Sequence, residues 1–342
     1  MHLATILTEA QHIATTERRL PDTVPEGHVR LSLATASLCG TDLHYYRHFA
    51  NAGFELQRPV TLGHEACAHV ADPNGSDFTV GQLVALNPII NCGACDPCKG
   101  GQENLCTNKR FPGSATTIPH IDGFFQAAFD FPAFRCHAVP EGLSPDHLTF
   151  AEPLACAMHA ANISGAGHGD QVMVTGCGPM GLLAVVAARA LGADVDVTDM
   201  RDEAVALGCK IGARRGFVAD DPDLAPRIGQ YDAVIEASGS PHAFNQALDL
   251  VRRQGCLSIL SNIQLTDTAV HLHKIMLKEI NVRGSFQFNA EFKQALALIA
   301  SGRQDFEQLI AARFDLSETG KALEYMMSGQ AAGKILIKPE GA

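Results

Sequence analysis

A chain of 342 residues exceeds the span over which one hydrophobic core usually keeps growing, and with 46% hydrophobic and 18% charged residues it has the material for two folded domains. A formal net charge of −11 offers no attraction to a phosphate backbone or an anionic bilayer, so no nucleic acid and no membrane is expected, and a small-molecule partner is. The opening residues lack the apolar segment of a secretory signal and no run of about 18 apolar residues occurs, which predicts a cytoplasmic protein. Eleven cysteines, an odd number in a long chain, then point to metal binding rather than to disulfides.

The first 150 or so residues are rich in Gly, Pro and short β-prone runs, at 28–34, 69–71 and 82–86, which predicts a strand-rich domain. Three of its segments are rich in metal-ligand types: Cys39-Gly40-Thr41-Asp42-Leu43-His44, Gly63-His64-Glu65 and Ala151-Glu152-Pro153. Each alone is weak, since a lone Cys is usually a core residue and a lone His is usually just hydrogen-bonded. The signal at Cys92, Cys95, Cys98 and Cys106 is stronger. This is C-x2-C-x2-C-x7-C, in which Gly93 and Pro97 supply turns. Four thiolates on so short a loop can close around one structural zinc, with Zn–S near ~2.3 Å and no position open for chemistry. An iron–sulfur cluster is the rival, but the ferredoxin spacing C-x2-C-x2-C-x3-C-P is absent.

From about residue 169 the pattern changes to strands at 172–175, 195–198, 233–235 and 257–260 alternating with helices at 180–191, 204–211 and 243–251. That is the rhythm of a parallel sheet covered by helices. Gly176-Cys177-Gly178-Pro179-Met180-Gly181 leaves the first of these strands and opens the first helix, giving G-x-G-x-x-G where a pyrophosphate can approach backbone N–H groups and a helix N-terminus. The motif alone is weak. Asp199 strengthens it, because it ends the next strand at the place of a carboxylate that binds the adenosine ribose hydroxyls. A carboxylate there repels the extra phosphate of NADP and favours NAD, while Arg201 leaves NADP open. A glycine turn in some other α/β fold is the bland alternative. After residue 282 the rhythm breaks, with helices near 294–300 and 317–327 and a last strand at 334–338, a tail that is expected to return to the first domain.

Gly63-His64-Glu65, the four-cysteine loop and the glycine loop occur in this order over essentially the whole chain, and on them the chain resembles the zinc-dependent medium-chain dehydrogenase/reductase family. Within it, the chain is similar to the polyol (sorbitol dehydrogenase-like) branch. The segments at 39–46, 110–115, 119–123, 150–155 and 283–286 are most similar to L-idonate 5-dehydrogenases. The resemblance implies an α/β fold: a GroES-like β-rich catalytic domain at 1–153, completed by 287–342, and a Rossmann doubly wound parallel-sheet domain at 154–286. It implies two zinc ions per chain, one structural and one catalytic. The catalytic ion would be held by Cys39, His64 and Glu65, with Glu152 as a further ligand or as the partner of a water, and the choice between the two carboxylates stays open. Thr41 would take a hydrogen bond from the substrate oxygen and His44 would pass the proton to solvent, a step suited to a group that titrates near neutrality. Tyr45 and Glu152 would face the substrate. Leu260, Ser261, Asn262, Phe286, Gln287 and Phe288 would lie near the nicotinamide.

The chain departs from the branch at Gln287, where polyol enzymes commonly carry Arg. A sugar-acid carboxylate would then need its cation from His120, Arg110, Lys274 or Arg283. The reading is an NAD(P)-linked enzyme that removes hydride from a secondary hydroxyl of a sugar acid, L-idonate first, or of a polyol such as sorbitol or xylitol, acting as a homodimer or homotetramer. Two others are weighed against it: a zinc-free quinone reductase on the same fold, and a dinucleotide-binding protein without catalysis.

Overall fold

The strand His28–Ser37 alternates buried and open positions over its first half and is enclosed over its second, because neighbours occupy both of its edges. In the computed structural model, which describes residues 1–219, 221–263 and 267–341, one edge pairs with Glu65–Asp72 and the other with Ala128–Pro132 and then Lys334–Lys338. The sheet runs Ile310–Asp315, Lys334–Lys338, His28–Ser37, Glu65–Asp72, Leu83–Leu86, Cys136–Ala138, with Ala128–Pro132 as a seventh strand off this path against His28–Ser37. Two strands from the end of the chain thus complete a sheet begun near its start. Leu31, Leu33, Tyr45, Leu62, Phe124 and Phe125 belong to its buried core.

Charge reinforces that closure. Asp146, in the short helix Pro145–Leu148, accepts from Arg313 Nε at 2.7 Å and from Thr35 Oγ1 at 3.1 Å, and lies 3.1 Å from Lys338 Nζ. Arg313 and Lys338 belong to the two terminal strands and Thr35 to the central one.

Six strands form a second, wholly parallel sheet in the order Arg215–Val218, Asp194–Asp199, Gln171–Thr175, Tyr231–Glu236, Val251–Ile259, Asn281–Gly284. This is the doubly wound order 3-2-1-4-5-6, which reverses between Gln171–Thr175 and Tyr231–Glu236. Strands covered on both faces must be apolar along their length, and Val172, Met173, Val174, Val195, Val197, Ala233, Val234, Ile235 and Leu257 are all buried. Helices Pro179–Ala190, Asp202–Lys210 and Pro241–Leu250 form where the apolar periodicity predicts them.

The chain divides into Met1–Glu152 with Ile310–Ala342, and Pro153–Leu309. The resemblance places the return to the first unit at 287, but the described chain stays in the second unit until Leu309. Glu291 explains the difference. It sits at the start of helix Glu291–Ala300 and accepts from His159 Nδ1 at 3.1 Å and Asn162 Nδ2 at 3.2 Å, both on helix Ala151–Ser164. That helix has no expected counterpart at 151–164, since it is buried nearly all round and so shows no apolar stripe. Among the described residues no helix is long and apolar enough to cross a membrane.

Burial opposes the charge on Asp146, but Arg313 and Lys338 hold its carboxyl below the ordinary carboxylate range. A depressed carboxylate stabilises the fold above its unfolded pKa, and that contribution is lost as pH falls through the folded one. Asp146→Asn is expected to cost about 2 kcal/mol at neutral pH, less than a fully buried pair because Arg313 is partly exposed. The Tm gap to the parent should close below about pH 4; a gap constant from pH 7 to 3 would show that the charge plays no part.

Candidate metal and dinucleotide sites

Cys39 has extended backbone and caps helix Gly40–His48. Asp42, in the first turn, accepts from Cys39 N at 2.8 Å through Oδ2 and from Gly63 N at 3.1 Å through Oδ1, so one buried carboxylate fixes two separate segments against each other. Gly63 must be glycine: its φ is +93°, and a Cβ would lie 2.6 Å from the Phe125 ring. His64 follows, and Glu65 opens the strand Glu65–Asp72. The donor atoms of Cys39, His64 and Glu65 then lie within 4.8 Å of one another. His64 Nδ1 is buried with no hydrogen-bond partner among the described residues, 3.9 Å from Asp42 Oδ1.

Glu65 is fully buried, and Lys334 Nζ lies 2.5 Å from each of its oxygens while Ser37 Oγ donates to Oε2. Glu152 is also buried but falls outside the three-donor group; its charge acts on His64 and Lys334. Burial by itself would strip a proton from His64, yet the charges of Cys39, Asp42 and Glu152 lift its pKa to about 10. A buried imidazole driven to hold a proton reports an excess of negative charge around it. A thiolate, an imidazole and a carboxylate at this spacing are the donors of a zinc site, and a divalent cation would neutralise the excess. The residues fit the ion.

In the four-cysteine loop, Sγ–Sγ separations are 3.4 Å for Cys95–Cys98, 3.5 Å for Cys92–Cys106 and 3.8 Å for Cys95–Cys106. These are too long for disulfides at ~2.05 Å. They match the ~3.8 Å edge of a tetrahedron whose corners lie ~2.3 Å from a common centre. Helix Asp96–Lys99 makes the turn, and backbone N–H groups of Cys98 and Thr107 bring the Cys95 thiol down to about 6, toward the thiolate that a metal requires.

Thr41 and His44 stand one turn apart on helix Gly40–His48, where residues three apart share a face. His44 is exposed; partial burial, then His48 and Arg47, lower its pKa and favour the neutral, proton-accepting ring. Tyr45 is fully buried, with its hydroxyl 3.2 Å from Ser114 Oγ and accepting from Ala115 N at 3.0 Å. These contacts brace that turn. Three of the four candidate cations are engaged. His120 accepts from Gln57 N through Nε2 at 2.9 Å while Nδ1 is 2.8 Å from Thr117 O. Lys274 pairs with Asp249 at 2.6 Å. Arg283 donates to Ile163 O at 3.3 Å, near the end of helix Ala151–Ser164, the interaction of a basic residue with terminal helix carbonyls. Arg110 is exposed and has no ion pair among the described residues.

In the second unit, Gly176 has φ +89° and a Cβ there would meet Ser238 Cα at 2.7 Å, while one on Gly181 would meet Gly176 O at 1.8 Å. Packing demands both glycines. It does not demand Gly178, whose φ is −68° and whose Cβ would have nothing within 4 Å. Open space over a glycine at the start of helix Pro179–Ala190, beside Pro179 and Met180, is what close approach of a phosphate requires. Asp199 accepts from Cys177 N at 2.7 Å and from Arg201 N at 3.0 Å, and Arg201 Nε is 3.8 Å away. This brings the expected ribose carboxylate to the glycine loop, with a guanidinium beside it.

Leu260 N and Ser261 N donate to Glu236 O at 2.9 and 3.1 Å, and Asn262 is exposed. Phe286 is exposed and Gln287 has φ +52°, unusual for a residue with a side chain. Phe288 is buried and stacks on Phe292 with centroids 5.6 Å apart. Three residues at these sites carry no role in the sequence reading. Asp42 lies inside the Cys39 to His44 motif at a helix-capping position. Lys334 and Glu236 leave only the faint signal of one charge beside an apolar run.

Residues 25–141 match the alcohol dehydrogenase GroES-like domain and residues 179–301 the zinc-binding dehydrogenase model. The chain is 32% identical to L-idonate 5-dehydrogenase (NAD(P)(+)) of Escherichia coli K12 over 90% of each chain. It is 29% identical to sorbitol dehydrogenase of Bacillus subtilis 168 over 94% of this chain and 92% of that one. The crystal structure of Escherichia coli K-12 L-idonate 5-dehydrogenase superposes with a TM-score of 0.94 at 30% identity, covering 98% of each chain. The chain belongs to the zinc-binding dehydrogenase family, with a GroES-like domain ahead of its dinucleotide-binding fold.

Proposed function

We propose that this protein is an NAD(P)-linked, zinc-dependent dehydrogenase that oxidises a secondary hydroxyl of a sugar acid or polyol, with L-idonate oxidised at C5 as the leading substrate and sorbitol or xylitol as the alternative. The observation that carries the reading is the buried, negatively charged cage of Cys39, His64 and Glu65. The likeness to an L-idonate and to a sorbitol dehydrogenase supports the substrate class. Arg110, alone of the four candidate cations without an engagement among the described residues, favours a carboxylated substrate; Gln287 favours a neutral one.

Cys39, His64 and one of Glu65 or Glu152 would hold the catalytic metal, and the four cysteines the structural one. Zinc in the first site would supply a Lewis acid that eases loss of a hydroxyl proton, and a bound nicotinamide would supply the hydride acceptor. Asp42 keeps Cys39 and His64 in register through two backbone N–H groups. Lys334 holds Glu65 by both oxygens, and Glu152, whose charge also acts on His64, is the second candidate carboxylate. Thr41 receives the hydroxyl proton's hydrogen bond, and His44, neutral and exposed one turn away, carries the proton to solvent. Asp199 receives the adenosine ribose hydroxyls and favours NAD, while Arg201 gives NADP a partner for its extra phosphate.

None of the eleven cysteines is in a disulfide, which suits a reducing cytoplasm. Edge strand Asn281–Gly284 is exposed along its length, with Leu272, Met276, Leu277 and Val282 nearby in sequence and also exposed. An open edge beside apolar side chains suits a second copy of the chain, so sedimentation should find a homodimer or homotetramer; a monomer at micromolar concentration would remove this element.

Nicotinamide reduction with L-idonate, sorbitol and xylitol, each against NAD and NADP, tests the reaction. Turnover on L-idonate with NAD is expected, lost on zinc chelation; activity that survives chelation would favour a zinc-free reductase, and turnover on neutral polyols alone would place Gln287 ahead of Arg110 in setting specificity. His44→Ala should lower kcat by about 10- to 100-fold and remove the acid limb of its pH profile. In the parent that limb should lie below pH 6.5, because the lowered pKa keeps the base form to lower pH; an unchanged profile would sink the relay.

A further inference from the structure

Glu236 ends the strand Tyr231–Glu236 where the strand order turns back. Its neighbour on one side is Thr175, the residue before Gly176, and on the other Ile259, the residue before Leu260. In open parallel sheets this crevice is where ligands bind. The Glu236 side chain is fully buried, and a carboxylate has acceptors only. Oε1 accepts from Ser238 N at 2.8 Å, Ser238 Oγ at 2.5 Å and Gly239 N at 3.1 Å, while Oε2 accepts the hydroxyl of Ser261. Four donors offset the burial of one charge and bind two loops to a single group.

The consequence is one of polarity. A serine hydroxyl has one proton. Ser238 and Ser261 both direct theirs to Glu236, so each oxygen turns only lone pairs to its other side. Those of Ser238 are taken by Ser240 N at 3.0 Å, at the start of helix Pro241–Leu250. Ser261 is half-buried, and no donor among the described residues reaches its oxygen from the other side.

We propose that Glu236 is a positioning residue for the dinucleotide: by taking the Ser261 proton it makes Ser261 Oγ an obligate acceptor for a donor on the nicotinamide-riboside half, the carboxamide N–H or a ribose hydroxyl. This rests on the dinucleotide reading above. Glu236→Gln reverses the polarity, since the amide nitrogen donates to Ser261 and turns its proton outward while the amide oxygen keeps the bonds to Ser238 and Gly239. Ser261→Ala removes the acceptor and leaves Glu236 in place.

Calorimetric titration of the zinc-loaded enzyme with NADH, ADP-ribose and ADP tests this. Both variants should bind NADH roughly five- to tenfold more weakly relative to ADP, and the double variant no more weakly than either single one. ADP-ribose weakened like NADH would name the ribose hydroxyl as the donor, and ADP-ribose unchanged would name the carboxamide; either supports the proposal. Gly178→Ala, which narrows the phosphate approach, should weaken all three ligands alike and calibrates a general loss. An equal loss of ADP and NADH in Glu236→Gln, or unchanged NADH binding in Ser261→Ala, would overturn it. If melting shows that Glu236→Gln does not fold, Ser261→Ala decides alone. A parent enzyme that binds none of the three would instead overturn the dinucleotide reading.

Discussion

A buried excess of negative charge shapes the first unit. Cys39, Asp42, Glu65 and Glu152 gather around His64, with Lys334 as the buried cation among them. Such a cluster is costly in a dry interior unless every charge has a partner. Its partners come from far apart in the chain: backbone N–H groups at Cys39 and Gly63, the Ser37 hydroxyl, and an ammonium from the last strand. Closing the sheet with the end of the chain therefore builds the charged cage around His64 as well as the core. Asp146 repeats the device at a second place, with Arg313 and Lys338 from the same terminal strands.

The second unit solves a different problem. A dinucleotide carries negative charge, so its site offers N–H groups, a helix N-terminus and space rather than a cage of anions. The three glycines divide along that line. Gly176 and Gly181 let strand, loop and helix approach each other, and Gly178 leaves room for something outside the protein. Asp199 and Glu236, on the strands flanking Gln171–Thr175, each fasten a loop through N–H or O–H donors. Carboxylates at the ends of parallel strands thus set the shape and the hydrogen-bond polarity of the crevice.

The four candidate cations differ in what the fold commits them to. His120, Lys274 and Arg283 look equally available in the sequence, yet each is committed: one to a backbone N–H, one to a carboxylate, one to a helix end. Arg110 is left, next in sequence to Phe111, whose ring lies 5.2 Å from that of His64.

The sequence by itself determined whatever is local. Helix and strand periods, the glycine loop with Asp199, the four-cysteine spacing and the metal-ligand types at Cys39, His64 and Glu65 are all written in short stretches, and the described chain forms the helices and strands close to where those periods put them. Short or evenly buried elements escaped: edge strands Arg215–Val218 and Asn281–Gly284 carry Arg, Gly and Asn instead of an apolar run, and helix Ala151–Ser164 has no polar face to betray its period. Only the tertiary structure decided what each charge pairs with. That Lys334 meets Glu65 across 269 residues, that Glu236 orients Ser261, and that Phe288 turns into the core are outcomes of sheet order and register, which place side chains together at distances no local pattern records.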